Sequence, residues 1–212
     1  MKKELQEALG NIDIYLFDQL LKGRFDDCHS IIDIGCGTGR NLVYFLKNNF
    51  QVFGVDQDVE SIDTVKRLSA KIAPDNPSDN FRVGLADDIP FDDSQFDIAV
   101  SSAVLHFARD EAHFDSMVRS AWRVLKPGGF LFARLASDTG IETKVVPLGN
   151  RRYRLPDGSD RFLVNEEMLL NYTDQLQGML YENIKTTNVQ NIRCMTTWCI
   201  QKNMTFKKMT AI

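Results

Sequence analysis

Cysteine is scarce: four occur in 212 residues, Cys28, Cys36, Cys194 and Cys199. None stands in a CxxC pair or at Cys/His ligand spacing, so neither a disulfide framework nor a metal site is legible, and reduced thiols in a cytoplasmic protein are expected. Long apolar runs are missing too, and no stretch approaches the length of a membrane span. The opening "MKKELQEALG" passes from lysine into Glu and Gln, unlike a signal peptide. Positive charge is not in excess. With 25 Lys and Arg against 29 Asp and Glu, the formal net charge is −4, which gives no bulk attraction to nucleic acid or to an anionic membrane. Internal repeats, low-complexity tracts and linker-like segments are likewise absent. A length of 212 residues and 43% hydrophobic content then suit a single globular domain, 1–212, with a substantial core.

What is present is an alternation. "HSIIDIG" and "QVFGVD" are short apolar runs suited to buried parallel strands, and "GRNLVYFLKNNF" between them has the length and spacing of a helix. "SIDTVKRLSAKI" reads as a second helix, followed by a loop marked by Pro74 and Pro77. "FRVGLAD" and "FDIAVSSAVL" contain the third and fourth strands. In "EAHFDSMVRSAWRVLK", residues Phe114, Met117, Val118, Ala121, Trp122 and Leu125 recur at helical spacing as a core-facing stripe. "PGG" should break that helix before the strand "FLFARLA". Repeated units of this kind predict a parallel sheet with helices on both faces.

Around this core region, 28–136, the chain divides further. Residues 1–27 read as a helical lead-in, and 137–165 as an excursion or lid turning at Pro156-Asp157-Gly158. Residues 166–212 read as a helix capped by Asn165 and then an antiparallel strand pair.

The stretch "DIGCGTGRN" at 33–41 follows the first strand. Glycine is needed there because the backbone must turn sharply and approach a ligand. Its spacing, Gly35, Gly37 and Gly39, is GxGxG, with Arg40 where a dinucleotide loop has its third glycine. Asp56 ends the second strand, where a carboxylate can accept from two ribose hydroxyls. "LADDIPF", "FDIAVSSAVLHF" and "VLKPGGFLFARL" follow in order.

Together these five blocks resemble the class I S-adenosylmethionine-dependent methyltransferases, in particular the small-molecule type 11 group. The resemblance covers about 28–136, with weaker similarity in the last strand pair. It implies a Rossmann-like α/β fold: a seven-stranded, mostly parallel sheet with an antiparallel last strand and helices on both faces. It further implies S-adenosyl-L-methionine as cofactor, S-adenosyl-L-homocysteine as product, and no metal. By that resemblance Asp33 would face the methionine ammonium, Gly35, Cys36 and Gly37 would pass beneath methionine and ribose, and Gly39 would open the helix. Asp56 would hold the ribose, Gln57 would lie beside the adenine, and Asp87 would accept from its amino group. The Asp88 backbone and Ile89 would face the ring, and Ser101 would offer its backbone at the methionine end.

On the acceptor side, His106 is placed to take a proton or to orient the acceptor, while His29 and His113 receive no role. Arg134, Tyr153 and Arg154 are candidate acceptor contacts, because arginine suits a carboxylate or phosphate. The excursion's arginines could instead pair with Asp157 and Asp160 in a solvated hairpin. Tyr15 and Phe17 of the lead-in could also reach the site, or simply pack. A small-molecule acceptor, with an anionic one suited to the arginines, is therefore expected, and neither nucleic acid nor membrane as partner. The Pro-Pro-Tyr and Pro-Cys blocks of DNA-modifying relatives are missing. Two alternatives stay open: a cofactor-binding module without its own activity, and a nicotinamide-dependent oxidoreductase. Acceptor identity, the methylated atom and the oligomeric state are not legible.

Overall fold

The computed structural model describes residues 2–204. The last eight residues of the expected 166–212 unit lie outside the described residues, as does Met1. Two short helices, α1 (Lys2–Leu9) and α2 (Ile14–Leu21), lead into β1 (Ser30–Ile34). β1 is buried along its whole length, which is why "SIIDI" is apolar on both faces rather than alternating. α3 (Val43–Lys47), β2 (Gln51–Asp56), α4 (Val59–Ile72), β3 (Phe81–Val83), β4 (Phe96–Ser102), α5 (Glu111–Arg123) and β5 (Leu125–Ser137) complete the alternation. Then come β6 (Val146–Gly149), β7 (Arg152–Arg154), β8 (Asp160–Phe162), α6 (Glu166–Gln175), β9 (Gly178–Leu180), β10 (Lys185–Val189) and β11 (Arg193–Lys202).

The main sheet runs β3-β2-β1-β4-β5-β11-β10. β1 to β5 are mutually parallel, and β11 is antiparallel to both β5 and β10. β9 pairs with β11 at Leu180↔Ile200, while β10 pairs with it from Lys185↔Thr197 onward. These two segments therefore share one edge, and the sheet is seven strands wide, as the Rossmann-like expectation has it. Strand order reverses between β1 and β4, and that switch point opens a crevice at the strands' carboxyl ends.

Caps fix the helices locally. Asp58 accepts from the backbone of Ser61 at 3.1 Å at the start of α4, Asp110 from His113 at 2.8 Å at α5, and Asn165 from Met168 at 2.9 Å at α6. In α5 the stripe Phe114, Met117, Val118, Ala121 and Trp122 is buried against the sheet.

Three elements differ from the sequence expectation. α5 stops at Arg123, and "LKPGG" lies inside β5, where the pairing jumps from Phe96↔Leu125 to Ile98↔Phe130. Pro127 has no N–H for the ladder, so the extra residues loop out as a bulge. Gly129 allows the close return, since a Cβ there would stand 3.0 Å from the Asp97 carbonyl. α3 is only five residues long, because the glycine-rich turns consume the chain before it. The excursion is a three-stranded antiparallel sheet, β6-β7-β8, turning where expected, with Gly158 at φ +83°. It is anchored by Phe162, whose ring stacks on Phe114 at 5.0 Å, and by the Val164 amide, which donates to Ala136 at 3.3 Å.

Candidate active site

The glycine loop is pinned to β2. The amides of Gly35 and Cys36 donate to the Val55 carbonyl at 2.7 and 3.0 Å, and the Gly37 amide donates to the Asp56 carboxylate at 2.8 Å. The other Asp56 oxygen accepts from the Asp58 amide at 3.0 Å. Asp56 thus holds the loop and stands at the crevice together. Two glycines are obligatory for space. Gly35 (φ +70°) would put a Cβ 2.4 Å from Val104, and Gly39 (φ +85°) one 2.7 Å from Val65 of α4. The early third glycine is thereby explained: it lets α4 pack against the loop.

A cleft of about 430 Å³ opens beside the loop. Of the expected residues, Gly35, Asp56, Gln57 and Asp87 line it. Asp33 lies behind it, 2% exposed, with Asn41 Nδ2 donating to it at a long 3.5 Å. Burial pushes its carboxyl up to about 8, only partly offset by the Arg40 charge. Gly37 and Gly39 shape the turn from outside the cleft wall. Cys36 is buried, and burial raises its thiol far above the usual range. That excludes a thiolate nucleophile. Asp88 is bonded through its amide to Leu85 at 3.3 Å. Ile89 packs in the core with its amide donating to Ser120 at 3.1 Å. Ser101 is fully buried, and the cleft wall at the end of β4 is made by Ser102, Ala103 and Val104 instead. The reason is the sharp turn at Ala103 (φ +65°), whose amide donates to the Arg134 carbonyl at 2.7 Å.

One histidine given no role from sequence stands at the cleft. His113 lines the cleft, its Nε2 standing 3.3 Å from Asp87 and its Nδ1 accepting from the Arg109 amide at 3.1 Å. Helical periodicity places a residue on a face; it does not say that the first turn of α5 meets the loop after β3. Asp13 was missed altogether. It caps α2 through the Tyr15 amide at 3.0 Å, accepts from Ser102 Oγ at 3.1 Å and pairs with Arg134 at 3.2 Å. Its own amide donates to Asn41 at 3.0 Å. The lead-in therefore reaches Asp33 through Asn41. Asp13 before "IYLF" was legible as a helix cap, but its partners lie 28 to 121 residues away. Tyr15 joins this side of the site, with Arg134 5.1 Å over its ring and its hydroxyl bonded to Thr187.

A second cavity, about 340 Å³, adjoins the first and shares Ala103 and Phe107 with it. His106 and Arg134 line it, as do Arg161 and Arg193. His106 is 5% exposed, and its Nδ1 accepts from the Ala136 amide at 3.2 Å. Burial first, then the Arg161 and Arg134 charges, hold its pKa down to about 4. A neutral imidazole accepting at Nδ1 carries its proton on Nε2. This arrangement suits orienting an acceptor better than taking a proton from it.

Arg154 does not enter either cavity. It forms a two-pronged ion pair with Asp160 at 2.8 and 2.9 Å on the exposed side of the β7–β8 hairpin. Adjacent strand residues face opposite ways, so Arg161 points where Arg154 was expected. Tyr153 is half-buried and packs in a small cluster with Ala136, Leu155 and Leu163. Among the described residues no group of three His, Cys, Asp or Glu could hold a metal ion, and no helix is long and apolar enough to cross a membrane.

Residues 32–133 match the methyltransferase domain family, type 11. An uncharacterized methyltransferase of Synechocystis is 33% identical over 99 residues, covering 47% of this chain and 43% of the relative. An arsenite methyltransferase of Aquipseudomonas alcaligenes is 32% identical over 117 residues, covering 50% and 32%. The aligned stretch thus spans less than half the length of these curated relatives. A solved S-adenosylmethionine-dependent methyltransferase from Methanosarcina mazei superposes with a TM-score of 0.69 at 20% identity, over 87% of this chain and 97% of that one.

Proposed function

We propose that this chain, whose residues 32–133 belong to the methyltransferase domain family, is an S-adenosylmethionine-dependent methyltransferase acting on a small-molecule acceptor. The observation that carries the reading is the pair of adjoining cavities at the sheet's switch point. One is lined by Gly35 of the glycine loop with Asp56 and Asp87; the other is lined by three arginines, one aspartate and His106. Asp33 is a buried carboxyl behind the cleft wall with one weak side-chain partner, Asn41, so its charge would complement a cationic ammonium held in the cleft. Asp56 at the end of β2 suits ribose hydroxyls, and Asp87 suits an adenine amino group.

When bound, the cofactor supplies a methyl group already activated by its sulfonium charge. The chain's own task is to align the acceptor and exclude water, which accounts for the absence of a nucleophile or triad. Ala103 and Phe107 form the shared wall at which acceptor and cofactor meet. A cavity of about 340 Å³ suits a small molecule, and the formal charge of −4 disfavours a phosphate backbone. An arsenite acceptor, being thiophilic, would call for accessible cysteines, and none of the four lines either cavity. In this reading 137–165 belongs to the same domain and roofs the acceptor cavity.

Calorimetric titration with S-adenosylmethionine, S-adenosylhomocysteine and NAD tests the cofactor side; stronger binding of NAD would overturn it. Transfer of a labelled methyl group into a metabolite extract tests the enzyme. Tight cofactor binding with no labelled product would favour a binding module instead.

A further inference from the structure

Three arginines from three separate strands converge on the second cavity: Arg134 from β5, Arg161 from β8 and Arg193 from β11. The one carboxylate among them, Asp157, accepts from the amide and hydroxyl of Ser159 through a single oxygen at 3.0 and 2.6 Å, and its charge acts on Arg193 and Arg161 without a contact ion pair, so the three guanidinium groups outnumber it. Arg134 spends one nitrogen on Asp13, and its Nε is buried without a partner. Arg161 donates to the backbone carbonyl of Asp160 at 2.8 Å, a neutral partner, and lies 4.8 Å over the Phe107 ring. Neither Arg161 nor Arg193 makes an ion pair among the described residues. His106 adds no positive charge of its own but presents an N–H. The rest of the wall is apolar, with Leu155 buried and Met195 half-buried.

Resting on the two-cavity reading, the geometry points to an acceptor of defined class: a small carboxylate on an apolar body. Its carboxylate is held by Arg161 and Arg134 with the Nε2–H of His106, and its apolar part packs on Leu155 and Met195. Guanidinium donors in a fork match two carboxylate oxygens, and cationic side chains left half-desolvated favour an anion over a neutral ligand. Arg161 is the specificity-determining residue, because Arg134 is already shared with Asp13.

The test uses the full chain saturated with S-adenosylhomocysteine and calorimetric titration with benzoate and octanoate, against benzamide, octanamide and phenyl phosphate. Each carboxylate is expected to bind at least tenfold more tightly than its amide. Arg161→Gln should remove that preference while leaving S-adenosylhomocysteine affinity unchanged, and Arg154→Gln, on the outer face, should change neither. Equal binding of acids and amides, preference for phenyl phosphate, or an undisturbed preference in Arg161→Gln would each overturn the inference. As a second readout, nitrogen-15 spectra of histidine-labelled protein should show the Nε2–H form of His106, shifted by benzoate; an unshifted resonance counts against it. Failure of S-adenosylhomocysteine itself to bind would sink the cofactor reading, which is a separate outcome.

Discussion

Replacing Asp33 by asparagine tests the cofactor cleft most directly. In the free protein burial pushes the Asp33 carboxyl up to about 8, so at pH 7 it is mostly protonated. Facing an ammonium it must ionise, which costs about 1.4 kcal/mol for the one unit separating pH 7 from 8. The ionised group then gains a charge-assisted contact worth about 1.5–3 kcal/mol. Wild-type affinity for S-adenosylhomocysteine should therefore rise roughly tenfold per pH unit below about 8 and level off above it. Asp33→Asn keeps the shape and the weak Asn41 contact but cannot ionise. Its affinity should be about 10- to 100-fold lower at pH 8, and the difference from wild type should shrink as pH falls. Stability should move the opposite way. A carboxyl with a raised folded pKa contributes stability below its unfolded value near 3.8 that is lost as pH rises towards 8. The unliganded variant should thus melt higher than wild type at pH 8. Calorimetry at pH 6, 7 and 8 on both proteins cancels the ligand's own titration. Parallel pH slopes in the two proteins would refute the reasoning.

Gly35→Ala combines a left-handed backbone with a clash 2.4 Å from Val104. It should cost about 1–3 kcal/mol of stability and weaken cofactor binding in the same melting and titration experiments. Arg154→Ala should leave acceptor KM unchanged, since the side chain is tied to Asp160 outside both cavities; a raised KM would place it back at the acceptor. With His106 held at about 4, the rate measured at saturating substrates should show no inflection near pH 6.5 from this residue. An inflection there that vanishes in His106→Gln would contradict the hydrogen bond assigned to Nδ1. Asp97 is raised by burial, but its bonds to Lys126, His29 and Ser30 outweigh that and lower its pKa overall. Its contribution to stability is present above about 3.8 and should fade as pH drops below that, and Asp97→Asn should blunt this acid sensitivity in melting curves.

The parts of the site that could be read in advance are those the chain encodes within one βα unit. Gly35, Asp56, Gln57 and Asp87 sit at or just beyond strand ends, where local patterning places them on the crevice. Arg154 and Arg161 show the limit. Both belong to the same arginine-rich hairpin, and a one-residue parity decides which faces the cavity. His113 and Asp13 show it again, since each acquires its role from a partner on another element.

By itself the sequence determined the alternation of strands and helices and the glycine loop with its acids, because these depend on short-range periodicity and backbone freedom; the cofactor was implied by the family resemblance that those blocks carry. Only the tertiary structure decided what His106 Nδ1 bonds to, which arginines face inward and what covers Asp33. Those outcomes depend on desolvation and on contacts between distant segments such as Ala136 with His106 and Asp13 with Asn41. No local pattern encodes them.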